Sequence, residues 1–87
     1  MSATVVMYST RFCPYCMRAR GLLDSKKVDY TDIGVDGRAD LRNEMIERSG
    51  RYTVPQIWIG EQHVGGFDDL AQLERQGRLN ELLSLAS

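Results

Sequence analysis

Several features that would set this chain apart from ordinary globular proteins are missing. Among its 87 residues no apolar run approaches the roughly 20 needed to span a bilayer, so no membrane-spanning helix is expected. Its 11 bases and 12 acids are interspersed and give a net charge of −1. Without a basic tract there is no electrostatic footprint for nucleic acid. Linkers, internal repeats and low-complexity tracts are also lacking, and residues 1–87 read as one domain with a modest core. The start, Met1-Ser2-Ala3-Thr4, has neither the charged region nor the long apolar segment of a signal peptide, so a cytoplasmic protein is expected. There is one histidine, His63, and there are two cysteines. Together they leave a structural zinc site one ligand short, and His63 reads as a solvated strand residue.

Both cysteines stand in Arg11-Phe12-Cys13-Pro14-Tyr15-Cys16, where a strand-like run stops and a helical pattern begins. In a cytosolic chain a structural disulfide would be reduced, so C-x-x-C points to redox catalysis or metal binding. Two thiols three positions apart at the start of a helix lie on neighbouring corners of its first turn, close enough to close a small disulfide ring. The unpaired N–H groups and the positive dipole end of that turn favour negative charge on sulfur, most strongly at Cys13. Pro14 suits the first helical position, because it has no N–H to lose and its φ is already helical. Cys16 lies half a turn further in and is expected to be less exposed, with a higher pKa.

Ala3 to Tyr8 is β-branched and mostly apolar, which predicts a strand buried on both faces. From Pro14 the spacing is helical, with Cys16, Ala19, Leu22 and Leu23 on one side and Lys26 and Lys27 at the end. Val28 to Ile33 alternates and predicts a second strand, parallel to the first across a right-handed crossover. Asp36-Gly37 marks a turn and offers an N-cap to a second helix, which carries Leu41, Met45 and Ile46 inward and stops at Gly50. After the extended segment Arg51 to Pro55, the strands Gln56 to Gly60 and Gln62 to Val64 lie too close together to be anything but antiparallel neighbours. Gly65-Gly66 opens a third helix with Phe67, Leu70 and Leu73 inward and Gly77 as its stop; a last segment, Leu79 to Leu85, turns Leu79, Leu82, Leu83 and Leu85 to the core. The order is β-α-β-α-β-β-α-α, a small mixed sheet with helices on both faces. The cysteine pair falls at the carboxyl end of the first strand, where open α/β sheets place their sites.

Cys13-Pro14-Tyr15-Cys16, Thr53-Val54-Pro55 and Gly65-Gly66-Phe67-Asp68-Asp69, in this order and at these separations, resemble a dithiol glutaredoxin along essentially the whole chain. The resemblance implies the thioredoxin-like fold: a four-stranded mixed sheet, β-α-β-α-β-β-α, flanked by helices, with an extra C-terminal helix. It implies a glutathione-dependent disulfide oxidoreductase with Cys13 as nucleophile, Cys16 as resolving thiol and Pro55 as a cis-proline facing them. The Val54 backbone would then pair with the cysteine end of glutathione. Thr53, Asp68 and Asp69 would border its γ-glutamyl end, and the helix start at Gly66-Phe67-Asp68 would complete a shallow polar groove. Glutathione enters as co-substrate, and no metal or nucleotide is expected. The implied partners are glutathione and disulfide-containing or glutathionylated proteins, ribonucleotide reductase among them, met by a monomer.

Other residues carry two readings. Tyr15 covers apolar surface and, as an aromatic with a polar end, is also a candidate substrate contact. Arg42, off the Leu41/Met45 face, is either a solvated helix arginine or a groove residue for a ligand carboxylate, and Arg51 is equally open. Trp58 and Tyr52 read as packing residues. Where many family members have a lysine three residues before the nucleophile, this chain has Thr10, and Arg11 offers that charge at a shifted position. Two other uses of the framework differ in sequence. An electron donor reduced by a flavin-dependent thioredoxin reductase would not need Thr53 and Asp68-Asp69. An iron–sulfur carrier usually has Gly-Phe-Ser where this chain has Pro14-Tyr15-Cys16.

Overall fold

The structure is a computed structural model and describes residues 3–84. Its elements are β1 (Val5–Ser9), α1 (Pro14–Ser25), β2 (Thr31–Gly34), α2 (Ala39–Ser49), β3 (Gln56–Ile59), β4 (Gln62–Gly65), α3 (Phe67–Arg75) and α4 (Leu79–Leu82). The sheet runs β2-β1-β3-β4, with β1 parallel to β2 and antiparallel to β3, and with β3 antiparallel to β4. This is the expected mixed sheet, with β1 at its centre.

The two central strands carry apolar residues on both faces, and their alternation divides the core. Val5 and Met7 of β1 and Ile57 and Ile59 of β3 pack with Ala19 and Leu23 of α1, Leu70 of α3, and Leu79 and Leu83 at the C-terminal end. On the opposite face Tyr8 and Trp58 pack with Val35 and with Met45 of α2. Each fully buried leucine contributes about 1.5–3 kcal/mol relative to exposure. The Tyr8 hydroxyl, the one polar group on that face of β1, donates to Glu44 at 2.6 Å and accepts from Arg48 at 2.8 Å.

Several element ends depart from the sequence expectation; among them, β3 stops at Ile59 and β4 runs on through Gly65. β1 starts at Val5 and extends through Ser9, which the sequence places in the following loop. β2 begins at Thr31 rather than Val28; Val28 and Tyr30 turn into the core beneath α1 before the ladder starts. Asp36-Gly37 does form a turn, closed by Arg38 N–H to Val35 C=O at 3.1 Å, but the N-cap of α2 is Arg38, without a side-chain cap. Asp36 is instead drawn to the Arg11 backbone N–H at 3.0 Å, a charge-assisted bond that competes with capping. The last helix is a single turn, and Leu85 lies outside the described residues. Gly50 closes α2 in the left-handed region at φ 71°, as its position predicts.

Lys26, the C-cap of α1, reaches Glu74 of α3 at 2.7 Å. The helix that carries both thiols is thereby linked to the helix that starts beside them.

Candidate active site

Three pieces of chain meet beyond the carboxyl end of β1: the start of α1, the loop before β3, and the start of α3. Cys13 is the N-cap of α1, with extended backbone (φ −91°, ψ 115°), and its sulfur accepts the Cys16 N–H at 3.2 Å. A cap of this kind gives an orphaned helix donor a partner and directs that donor at sulfur. The Cys13 thiol lies 3.7 Å from the Val54 carbonyl oxygen, and the Val54–Pro55 peptide bond is cis. Both cysteines are free.

The two thiols differ in setting. Cys13 is half-buried, whereas Cys16 has no accessible surface. Burial pushes the Cys16 thiol up to about 12, aided by its hydrogen bond with Cys13; the Thr10 backbone and the Arg20 charge act in the opposite direction. At neutral pH Cys16 therefore holds its proton beside the Cys13 sulfur.

Next to Cys13 lies an open groove of about 220 Å³. Tyr15 lines it from α1, Thr53, Val54 and Pro55 from the loop before β3, and Gly66, Asp68 and Asp69 from the start of α3. These seven sequence candidates thus share one concavity, and Arg51, left open by the sequence, lines it with them. The two aspartates differ within it: Asp69 Oδ2 accepts the Gly66 N–H at 2.9 Å and meets Arg51 at 3.3 Å. Asp68 is exposed and, among the described residues, is in no ion pair. Gly65 is required here, because its φ is +115° and a Cβ would collide with the Asp69 carboxylate and crowd Arg51.

Arg11 and Arg42 do not line this groove. The Arg11 side chain is 79% exposed, sits 3.9 Å from Asp36 and lies over the Phe12 ring. It borders a second depression on the β2 side, with Ser9, Thr10, Arg20, Asp32 and Asp36. Arg42 is half-buried on α2, and its charge helps hold the Asp36 carboxyl below its ordinary value, after the Arg11 backbone N–H and the Arg11 charge. Tyr52, read from sequence as a packing residue, is 75% exposed, whereas Trp58 is buried as expected.

The sequence reading passed over Gln56. Its buried amide donates to the Thr53 carbonyl at 3.0 Å and to Thr53 Oγ1 at 3.3 Å, and its oxygen meets His63 Nε2 at 2.8 Å. With the amide nitrogen committed to Thr53, the His63 Nε2 must carry the proton. His63 is thus a held residue rather than a freely solvated one, stacked 4.7 Å from Trp58. Burial lowers its pKa, the Arg51 charge lowers it further, and Asp69 opposes. A glutamine inside an otherwise apolar strand, Gln56-Ile57-Trp58-Ile59, was the available signal.

The family model for glutaredoxin matches residues 5–64. The chain belongs to the glutaredoxin family. It is 58% identical over 80 residues to the glutaredoxin of Pseudomonas aeruginosa, covering 92% of this chain and 95% of that one. To glutaredoxin 3 of Escherichia coli K12 it is 53% identical over 81 residues, covering 93% and 98%. Among solved structures it is similar to a buckwheat glutaredoxin–glutathione complex (TM-score 0.86, 30% identity, 94% of this chain and 77% of that one). The solution structure of glutaredoxin from Brucella melitensis matches with TM-score 0.83 and 49% identity, over 94% and 89%. The thioredoxin-like glutaredoxin fold and the dithiol pair make this protein a thiol–disulfide oxidoreductase. The family match ends before α3.

Proposed function

We propose that this glutathione-dependent thiol–disulfide oxidoreductase works through Cys13 as nucleophile and Cys16 as resolving thiol, with glutathione held in the groove beside them. The observation that carries this reading is the placement of the Cys13 sulfur against the Val54 carbonyl, at the edge of a groove formed by that loop and α3. The Cys13 thiolate attacks one sulfur of a protein disulfide or glutathione mixed disulfide. A bond from Cys13 to that sulfur forms, the old S–S bond breaks, and the leaving thiolate takes up a proton. The mixed disulfide is then resolved by Cys16 or by free glutathione. Where Cys16 resolves, two glutathiones reduce the Cys13–Cys16 disulfide and leave as glutathione disulfide.

In the groove, the extended Val54 backbone pairs with the cysteine end of glutathione, beside cis-Pro55. The γ-glutamyl end lies by Thr53 and the α3 start. Its carboxylate faces the helix N–H groups from Gly66 onward. Its ammonium meets Asp68, because Asp69 is engaged by Arg51 and the Gly66 N–H. Tyr15 flanks the bound thiol. Arg11 acts through the field near Cys13 rather than by gripping the ligand, and Arg42, set against Asp36, receives no ligand contact. The chemistry needs no metal or nucleotide. Residues 1–87 act as one domain, a monomer in the cytoplasm, on disulfide-bonded or glutathionylated proteins; ribonucleotide reductase belongs to that class by family resemblance.

Oxidised protein offered glutathione, or alternatively a flavin-dependent thioredoxin reductase, tests the reading. Rapid reduction by glutathione, weakened in Asp68→Asn through a higher KM for glutathione, is expected. Reduction by the reductase alone would overturn it.

A further inference from the structure

Outside the groove, one residue is joined to the buried thiol by a chain of contacts. Arg20 follows Cys16 by four positions on α1 and so shares its side of the helix. Its guanidinium donates to Asp32 Oδ2 at 2.7 Å, to Ser9 Oγ at 2.8 Å and to the Thr10 carbonyl at 3.3 Å. Ser9, itself buried, donates to Asp32 Oδ1. The end of β1, the β2 carboxylate and the α1 guanidinium thus form a closed set of charge-assisted hydrogen bonds. That set also fixes Thr10. The Thr10 backbone and the Arg20 charge both favour a negative Cys16 sulfur, against the burial that disfavours it.

We infer that Arg20 is a positioning residue for the resolving step, anchored by Asp32 and Ser9 so that its charge and the Thr10 backbone it holds receive the negative Cys16 sulfur. The inference rests on Cys16 being the resolving thiol. In that step Cys16 gives its proton to solvent, and its sulfur electron pair forms the bond to Cys13. The bond between Cys13 and the bound thiol breaks with its electrons on the leaving sulfur, which is then protonated. Cys16 is oxidised to the disulfide level as the leaving thiol is reduced, so the step needs no outside oxidant or reductant. Negative charge reaches the buried Cys16 only here, where water cannot screen it and a fixed guanidinium counts most. Resolution by free glutathione leaves Cys16 protonated and makes no use of Arg20.

Rapid mixing of the reduced protein with oxidised glutathione separates the two routes. The first glutathione released reports attack by Cys13, and the second reports attack by Cys16. Arg20→Gln should slow the second release roughly several-fold, because a buried negative sulfur loses a nearby positive charge that water screens little. Arg20→Lys, which keeps the charge, should recover part of it. In a Cys16→Ser background Arg20→Gln should alter turnover of a glutathionylated peptide by less than about twofold, because the two sites are then uncoupled. An unchanged second release, or equal slowing of both routes, overturns the inference. Should Arg20→Gln not fold, Asp32→Asn is read by the same two criteria, since it removes the anchor and keeps the charge. A Cys16→Ser protein that released the second glutathione as fast as wild type would refute the resolving assignment itself, whatever Arg20 does.

Discussion

The two flanks of the Cys13–Cys16 turn are built from opposite materials. On the α3 side the open groove runs along the Val54 carbonyl, the extended Thr53–Pro55 segment and the first turn of α3. On the β2 side a second depression is walled by side chains that satisfy one another, Arg20, Asp32 and Ser9. Backbone groups present a fixed pattern that an incoming peptide-like ligand can match strand-fashion. An internally satisfied ion cluster has little left to give to a ligand and much to give to what it supports. The half-buried Cys13 thiol faces the first flank and the fully buried Cys16 thiol adjoins the second. On the proposed mechanism, substrate exchange and internal resolution fall to different halves of the site.

Removing each thiol in turn gives the largest test of this division. Cys13→Ser should abolish all turnover, since no other residue can form the mixed disulfide. Cys16→Ser should keep most reduction of glutathione mixed disulfides but lose roughly tenfold or more on protein disulfides that need the dithiol route. Two variants of equal behaviour would erase the distinction. Alkylation follows from the same asymmetry. Near neutral pH Cys13 should be labelled while Cys16, inaccessible and with its thiol pushed up to about 12, should stay unreacted. Mass spectrometry of the labelled protein shows which sulfur carries the adduct, and early labelling of Cys16 would contradict its burial.

A smaller effect is expected at Arg11, which is 79% exposed at the rim of the β2 flank. Arg11→Ala should reduce glutathione-dependent turnover by less than about fivefold, and the difference should shrink as salt rises, because exposed charges are screened. Thr10→Lys added to that variant should restore part of the loss. If Arg11→Ala matched wild type at low salt, the guanidinium would be a surface charge with no part in the field at Cys13.

The smallest effect concerns His63, behind the α3 flank. Its pKa lies below the ordinary 6.5 in the folded protein, so between the two values the unfolded chain binds the proton more readily. Stability from this group is present above about pH 6.5 and is lost as pH falls toward the depressed value. Urea unfolding across pH 8 to 5 should show that decline in wild type and a shallower one in His63→Gln. Parallel curves would mean that the contact with Gln56 and Trp58 does not hold the neutral ring.

Much of this architecture is legible in the sequence, for identifiable reasons. Pro14 after Cys13, and the apolar spacing of Cys16, Ala19 and Leu23, define the helix start and its buried face, because a proline at the first position and a 3.6-residue period each have one simple reading. Gly50 ends α2 as read, because the left-handed turn there suits glycine. The α2 cap was misplaced because Asp36 had a stronger partner 25 residues away, the Arg11 N–H, which no local pattern reveals. Arg42 was a groove candidate because its helix face is readable while its distance from the groove is not. Gln56 and Arg20 were missed for a related reason. Each is one polar residue in an otherwise ordinary stretch, and its meaning lies in partners from other elements.

Gly65 shows how unevenly the chain tolerates change. Its backbone occupies a region L-residues avoid, and the space above its Cα is already taken by Asp69 and Arg51. Gly21, in the middle of α1, is exposed and has no atom within 4 Å of where a side chain would begin. In a saturation library selected for growth under oxidative stress, position 21 should fill with alanine and other good helix formers, while position 65 should return glycine alone. A designer recoding this scaffold for a new thiol ligand could vary much of the α1 surface, but would have to carry Gly65 and its two neighbours over as a block.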